Sequence, residues 1–432
     1  MYRKDLPYWL RNISSVLIAV LSIKIAGYFA IVEDPTTNQI FKLICRTSMT
    51  FLVLLLYLKT LKLGCLDTIK HQNLSGLALY LLYLLIGLAS FGWSTNVNYS
   101  ILQWLMTIES LVFVFFFLRV ITLINYYFPV KKLDISKLFT VAIFPIMLIF
   151  VVGSILSPGL FFRVMRGGDE IRLGGYYMNS NELGMLASIG VAMSFLYYQN
   201  VIKKTGPLVM LIAALIVLIL TTSRSSFIGL LLIIGFLTYI SKNQKIKIFM
   251  YVTGLLSIPL ILNFVIFKAE GGIGEVLSMT GRIPFWTALL SEGIIREPYL
   301  GFGFMRIDYT EYFQSTNTYS GSMAHNTFLQ VLLNLGFVGL FVVFWQLIFT
   351  VTIFLKERKN SVYRVFFIAL FIPIFINSIT EFGIFGLNNF GILFYQFLIL
   401  LFVFKVRKNL SKNENYKLQL FQKQWNTDIR QQ

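Results

Sequence analysis

The chain has 432 residues, of which 57% are hydrophobic and 13% charged, yet its formal net charge is +18. Its apolar runs reach the roughly 20 residues needed to cross a bilayer, which excludes a soluble globular protein. The basic residues lie between those runs, the pattern that fixes membrane topology, so the positive charge does not point to nucleic acid.

The N-terminal MYRKDLPYWLRN leads into an apolar run too long for a signal peptide and without a small-residue cleavage site, so an uncleaved first span is expected. Spans are read at about 13–32, 40–58, 74–93, 100–119, 136–156, 182–199, 206–222, 225–241, 246–267, 327–354, 363–380 and 388–405, roughly twelve in all. Every second connection is basic. Lys59 and Lys62 follow span 2, Arg119, Lys131 and Lys132 follow span 4, and Lys203 and Lys204 follow span 6. Lys242 and Lys245 follow span 8, Lys356 and Arg358 span 10, and Lys405 and Arg407 span 12. The positive-inside rule then places both termini in the cytoplasm and the odd-numbered connections outside.

The expected fold is an all-α integral membrane protein of about 12 transmembrane helices, N-in and C-in. A long extracytoplasmic loop with short helices, 268–326, separates spans 9 and 10. The expected divisions are 1–171 (spans 1–5 and an outer loop), 172–340 (spans 6–9 and the long loop), 341–405 (C-terminal membrane helices) and 406–432 (a basic cytoplasmic tail, disordered or lying on the inner leaflet). Loops this long are uncommon and are usually functional or disordered; this one is rich in turn residues and aromatics, which favours function.

Lys24, Lys42, Arg46 and Glu109 fall inside expected spans, where charges are costly and face the bundle interior. An ion pair of Glu109 with Lys24 or Arg46 is the expected arrangement, with a contact of Arg46 to a lipid phosphate as the other reading. Cys45 and Cys65 imply neither a disulfide framework nor a metal cluster. No carboxylate pair or HExxH-type spacing appears, so glycosidase and zinc-protease chemistry is unsupported and no metal or cofactor is expected.

Three expected outward sites set an arginine beside small or hydroxyl residues. Arg172 precedes span 6 in EIRLGGYYMNSNELG, where Asn179 or Ser180 can cap the helix and glycines 174 and 175 let backbone approach a ligand. Arg224 occupies the tight turn TTSRSS, where serines cap span 8 and a helix N-terminus, hydroxyls and a guanidinium together suit an anion. Arg282 begins a helix capped by Thr280 or Ser278, with Pro284 in its first turn and Phe285, Trp286, Leu289 and Leu290 as its apolar face. A cation in a first turn opposes the helix dipole, and a bound anion would relieve that conflict. Any one arginine at a membrane edge could simply snorkel to headgroups. Three on one side, against the positive-inside bias, favour a shared anionic ligand.

His325 stands at the entrance to span 10, with Asn326 placed to cap the helix and orient the ring. An imidazole there suits a general base or a donor to an anion, against the blander reading of one local hydrogen bond. His71, between Lys70 and Gln72, reads as solvated.

These residues fall in a familiar order. Arg172–Gly184 resembles the "R-x-x-G-x-x-x-N-P-N-x-x-G" stretch of the O-antigen ligase and polymerase superfamily of bacterial membrane glycosyltransferases, with Ser180 standing where the family usually has proline. Thr222–Ser226 resembles its "T-x-S-R" turn. Thr280–Trp286, the run from Glu297 to Gly303, His325-Asn326-x-x-Leu329 and Leu335-Gly336-x-x-Gly339 follow its long-loop pattern. The resemblance covers about 172–340. It implies a fold of about twelve helices and metal-independent, inverting glycosyl transfer at the outer face of the bacterial cytoplasmic (inner) membrane. The donor it implies is a glycan on undecaprenyl diphosphate.

Carried over, Arg224 and Arg282 bind and stabilise the diphosphate leaving group, Arg172 is a third diphosphate ligand, and His325 activates or positions the acceptor hydroxyl. Asn326, Asn179 and Asn181 are supporting residues. The physics agrees, because a departing diphosphate needs positive charge where negative charge develops. Tyr309, Tyr312, Phe313 and Tyr319 suit stacking on sugar rings or an interfacial belt. The favoured activity is polymerisation of lipid-linked repeat units for capsule, exopolysaccharide or O-antigen, with ligation of glycan to lipid A–core as the alternative. The expected partners are the lipid-linked donor, a glycan acceptor, membrane lipids, a chain-length regulator and a flippase. A lipid-linked oligosaccharide flippase or transporter is the competing class, and it predicts functional residues at mid-membrane on broken helices.

Overall fold

The computed structural model describes residues 7–30, 34–63, 65, 73–128, 132–165, 170–240, 244–262, 282–304, 307, 313, 324–356, 362–381, 383–404, 416 and 419–420. The described chain is mostly helical. A short α1 (Tyr8–Arg11) precedes α2 (Ile13–Ala26), α3 (Pro35–Lys62), α4 (Ser75–Ala89), α5 (Val97–Tyr127) and α6 (Ile135–Leu156). After a single turn, α7 (Pro158–Phe161), come strands β1 (Phe162–Met165) and β2 (Glu170–Leu173). Then follow α8 (Ser180–Asn200), α9 (Thr205–Thr221), α10 (Arg224–Ile240), α11 (Gln244–Leu262), α12 (Arg282–Leu289), α13 (Thr327–Leu355), α14 (Val362–Thr380) and α15 (Phe390–Val403).

Each expected span overlaps one of these helices within the described residues. Six of them, in α3, α4, α5, α6, α13 and α14, are long and apolar enough to cross a membrane, and α2, α9, α10 and α15 contain shorter apolar helices. The all-α expectation needs one correction. The connection 157–181 contains an antiparallel hairpin in which Phe162 faces Leu173 and Arg163 faces Arg172. Leu173 is buried while its neighbour Ile171 is exposed only two residues away, and Val164 opposite Ile171 is exposed too, so the hairpin anchors itself at the end nearest the bundle.

Asparagine and aspartate side chains start several helices by accepting the backbone N–H groups that a first turn leaves unpaired. Asn96 opens α5, Asp134 opens α6, Asn179 opens α8, Asn326 opens α13 and Asn389 opens α15. α15 is buried along its whole length, at the centre of the main core. The expected Glu109 ion pair is a network. Lys24 of α2 and Arg46 of α3 both bind Glu109 of α5, Thr50 joins them, and Arg46 also donates to the Met106 carbonyl at 3.1 Å. Arg46 stacks over the Tyr28 ring at 4.2 Å and is buried, which removes the lipid-phosphate reading.

The long segment builds a second core. Phe285, Leu289, Phe302, Ile307, Phe313 and Ala324 pack against Leu329, Leu332 and Leu333 of α13. Phe313 belongs to this core, edge-on to Phe302, and is not available to stack on a sugar. Tyr309, Tyr312, Tyr319, Thr280, Ser278 and His71 lie outside the described residues.

α13 is broken where the two cores meet. Gly336 has φ +63° and ψ −163°, which is not helical. A regular helix would bond Phe337 N to Leu333 O and Val338 N to Asn334 O. Here Phe337 N bonds Pro298 O (2.9 Å) and Val338 N bonds Tyr299 O (3.2 Å). The freed carbonyls of Leu333 and Asn334 accept from Phe302 N (2.9 Å) and Gly303 N (2.8 Å). The 298–303 segment is thus spliced into the helix, and the two N–H groups and two carbonyls named are satisfied by it. A Cβ at Gly336 would come within 2.2 Å of the Tyr299 backbone, and one at Gly301 within 2.5 Å of Asn334, so both glycines of the motif are required by backbone-to-backbone contact.

Candidate functional site

Three side chains from distant parts of the sequence meet on one carboxylate at the start of α13 and the end of α14. Glu381 Oε1 accepts from Asn181 Nδ2 (2.7 Å) and from Arg282 Nη2 (2.7 Å), and Oε2 meets His325 Nδ1 (2.6 Å). Glu381 itself is buried. Burial alone would raise its pKa. The hydrogen bond and charge of His325, then the charge of Arg282 and the Asn181 amide, outweigh that and hold it below its ordinary value of 4.5.

The local sequence places each member. Arg282 is the first residue of α12, whose Phe285 and Leu289 sink into the second core and fix the helix. Its Nη1 also donates to the Thr380 carbonyl, the last residue of α14. The conflict between a cation and the start of a helix is met by an acidic partner, Glu381. Asn181 sits in the first turn of α8, whose cap is Asn179, accepting from Asn181 N at 2.9 Å.

His325 takes φ +49°, a left-handed backbone uncommon outside glycine that persists where neighbours over-determine it. Trp286 Nε1 donates to the Ala324 carbonyl at 2.6 Å, just before it. Just after it, Asn326 Oδ1 accepts from Phe328 N and Leu329 N at 2.9 and 3.0 Å, while its Nδ2 donates to Ile379 O at 3.1 Å. Thr327 Oγ1 accepts from Gly383 N at 3.0 Å. Residues 325–327 and 379–383 are therefore laced together, and the imidazole has little freedom to turn. With the proton on Nδ1, bonded to Glu381, Nε2 is the ring's acceptor nitrogen.

Arg224 opens α10, which packs against α8 and α14. Thr222 makes the turn with φ +49° and closes α9. Ser223 Oγ pairs with Ser226 Oγ at 2.8 Å, and Ser188 of α8 donates to Ser226 O at 3.2 Å. Gly184, one turn after Asn181, lies so close that a Cβ would meet Ser226 Oγ at 2.4 Å. The Arg224 turn and the Asn181 turn are thus neighbours along one contact line of α8. Arg172 lies on β2, facing Arg163, and is followed by the Gly174–Met178 turn that leads into Asn179. The structure brings Arg282, His325 and Asn181 onto Glu381, while Arg224 and Arg172 are not among the groups bonded to it. Glu182, next to Asn181, interacts electrostatically with both Glu381 and Lys42 of α3.

Glu381 was absent from the sequence reading. The signal available was a lone acid at the end of an apolar span in an odd-numbered connection, in NSITEFG, with no spacing that ties it to a partner. Among the described residues no group of three or more His, Cys, Asp or Glu could hold a metal ion.

The chain matches no curated protein. Residues 208–344, from within α9 to within α13, match the family model described as O-antigen ligase. The match contains Arg224, Arg282 and His325, and leaves Arg172, Asn181 and Glu381 outside it. That family groups glycosyltransferase-like ligases and polymerases, and implies lipid-linked glycan substrates. The chain thus carries an O-antigen ligase family domain at residues 208–344, which supports its place in the O-antigen ligase/polymerase superfamily.

Proposed function

We propose that this protein is a metal-independent glycosyltransferase that polymerises undecaprenyl-diphosphate-linked oligosaccharide units at the extracytoplasmic face of the bacterial cytoplasmic membrane. The observation that carries the reading is the Glu381–His325–Arg282 cluster, which sets a base and a guanidinium on one buried carboxylate. His325 Nε2 takes the proton of the acceptor hydroxyl as its oxygen attacks the anomeric carbon. The bond from that carbon to the diphosphate oxygen breaks on the opposite side, which inverts the centre. Arg282, with Arg224 from the neighbouring turn and Arg172 from the hairpin, stabilises the negative charge that develops on the leaving diphosphate. Glu381 does not touch substrate in this scheme. It fixes the imidazole tautomer and stabilises the imidazolium, as a buried carboxylate does behind other catalytic histidines.

Arg282→Ala and His325→Ala test the proposal. Removing the base should slow transfer about 10²–10⁴-fold, and removing the guanidinium about 10²–10³-fold. Long-chain glycan should disappear in both while the protein level in the membrane stays normal. Normal chain length in both variants would sink the reading. Ligation to lipid A–core uses the same site chemistry, and assay with a lipid-linked repeat unit against a core acceptor separates the two.

A further inference from the structure

The β1–β2 hairpin is amphipathic across its two faces. Directly opposed residues of an antiparallel pair share a face, and successive pairs alternate. Phe162–Leu173 and Val164–Ile171 therefore lie on one face, and Arg163–Arg172 on the other. The first apolar pair covers the bundle, with Leu173 fully buried and Phe162 packed against the main core. The second extends past it. Val164 is 60% exposed and Ile171 57%, as open as Ile149 (59%) on the flank of the membrane-length helix α6. A two-stranded hairpin is marginal by itself and needs a layer over its apolar face.

Three observations say what that layer is. The first is rigidity, which keeps the hairpin at the rim of the bundle. Phe161, leading into β1, packs edge-on to Phe150 of α6, and a Cβ at Gly153 would meet its ring at 2.2 Å. Gly174 N bonds Phe161 O (2.9 Å), Tyr176 N bonds Leu160 O (3.1 Å), and Ala30 N bonds Tyr177 O (2.9 Å). The second is continuity with apolar flanks on both sides. Ile155 and Leu156 at the end of α6 and Leu160 after them are exposed. β2 packs against α9, whose Ile219, near its C-terminal end, is exposed too. The third is charge, because the two arginines stand on the face opposite the apolar pair.

We propose that the hairpin is an interfacial anchor, with Val164 and Ile171 dipping into the acyl boundary of the adjoining leaflet and Arg163 and Arg172 facing its headgroups. Amphipathic helices lying in an interface bury their apolar face by about 5–10 Å, and the same balance applies to this sheet. At that depth headgroups and water pair the free N–H and C=O groups of the strand edges, which the hydrocarbon core could not do. The hairpin leads through the Gly174–Met178 turn to Asn179 and Asn181, so the anchor also fixes the height of the Glu381 cluster against the phosphate plane.

The test is depth-dependent fluorescence quenching of the full chain in nanodiscs of phosphatidylcholine and phosphatidylglycerol. A fluorescent amino acid replaces Val164, Ile171 or Arg163 in turn, with Ile149 as the membrane reference. A lipid nitroxide near the top of the acyl chain should quench positions 164 and 171, and aqueous iodide should quench position 163 about fivefold more than 164. Equal iodide quenching at 163 and 164 places the hairpin in water and overturns the proposal. Shielding of 164 from both quenchers means a protein cover, such as a second copy of the chain, and overturns it as well. A second variant needs no label. In Val164→Ser/Ile171→Ser, tryptic cleavage after Arg163 in the same nanodiscs should rise about tenfold at an unchanged Tm, and unchanged cleavage also overturns the proposal. Neither readout depends on glycosyl transfer.

Discussion

The molecule holds two clusters built from the same parts, a carboxylate and two basic side chains, and they are arranged inside out relative to each other. In the network of α2, α3 and α5 the cations are sealed, with Lys24 0% and Arg46 2% exposed, and Glu109 is the more open member at 14%. In the cluster at the start of α13 the carboxylate is sealed, with Glu381 4% exposed, and Arg282 and His325 are open at 14% and 21%. The first arrangement satisfies its charges internally and ties three helices together. The second buries its carboxylate and leaves Arg282 and His325 the more exposed members. Charge content is the same in both clusters; what differs is which sign is buried.

Three substitutions or conditions would break or sharpen that contrast. Glu109→Gln should have the largest effect, leaving Lys24 and Arg46 buried without their counter-charge at a cost of about 3–5 kcal/mol. It should appear as a lower Tm and less protein in the membrane, with transfer per folded molecule retained; lost turnover at normal Tm would erase the distinction. Glu381→Gln should act the other way, keeping the protein folded while lowering kcat about tenfold to a hundredfold, as the imidazole loses the carboxylate that holds its tautomer and orientation. A Glu381→Gln variant with unmoved kcat at normal Tm would make the carboxylate a packing residue.

The smallest effect expected is that of mild acid. The folded-state pKa of Glu381 is the depressed one, so its stabilising contribution is fully present above the ordinary carboxylate value. It is lost only as pH falls through the lowered value. Thermal unfolding should therefore show no contribution from this group between about pH 7 and 5, and a loss below about pH 4. A loss centred near pH 6 would assign the transition to another group.

The parts of this structure that were legible beforehand are those written in one stretch of sequence. Hydropathy located the helices, since a span must carry its own apolar length. Asn179 and Asn326 were readable as caps because a cap acts within three residues. Glu381 was not readable, because its partners lie 56, 99 and 200 residues away and each contact is made only by packing. The hairpin at 162–173 was missed for want of length, each strand being only four residues. Phe313 was misjudged because an aromatic in a polar loop looks like a ligand contact until a second core, formed with α13, is in view. The break at Gly336 is hidden in an apolar run that reads as one continuous helix; only the 298–303 backbone reveals that two pieces are joined there.

That joint has a consequence for life in a real membrane. The part of α13 before Gly336 is gripped by the second core, and the part after it presents Phe337, Phe341, Phe344 and Phe349 outward. Bilayers differ in thickness, and spans answer hydrophobic mismatch by tilting. An unbroken 29-residue helix would carry any tilt straight to His325. Broken at Gly336, the part after it can follow the lipid while the part before it stays with the second core, Arg282 and Glu381. Bilayer thickness is then mechanically uncoupled from the chemistry, and turnover in vesicles of short-chain and long-chain phospholipids should differ little.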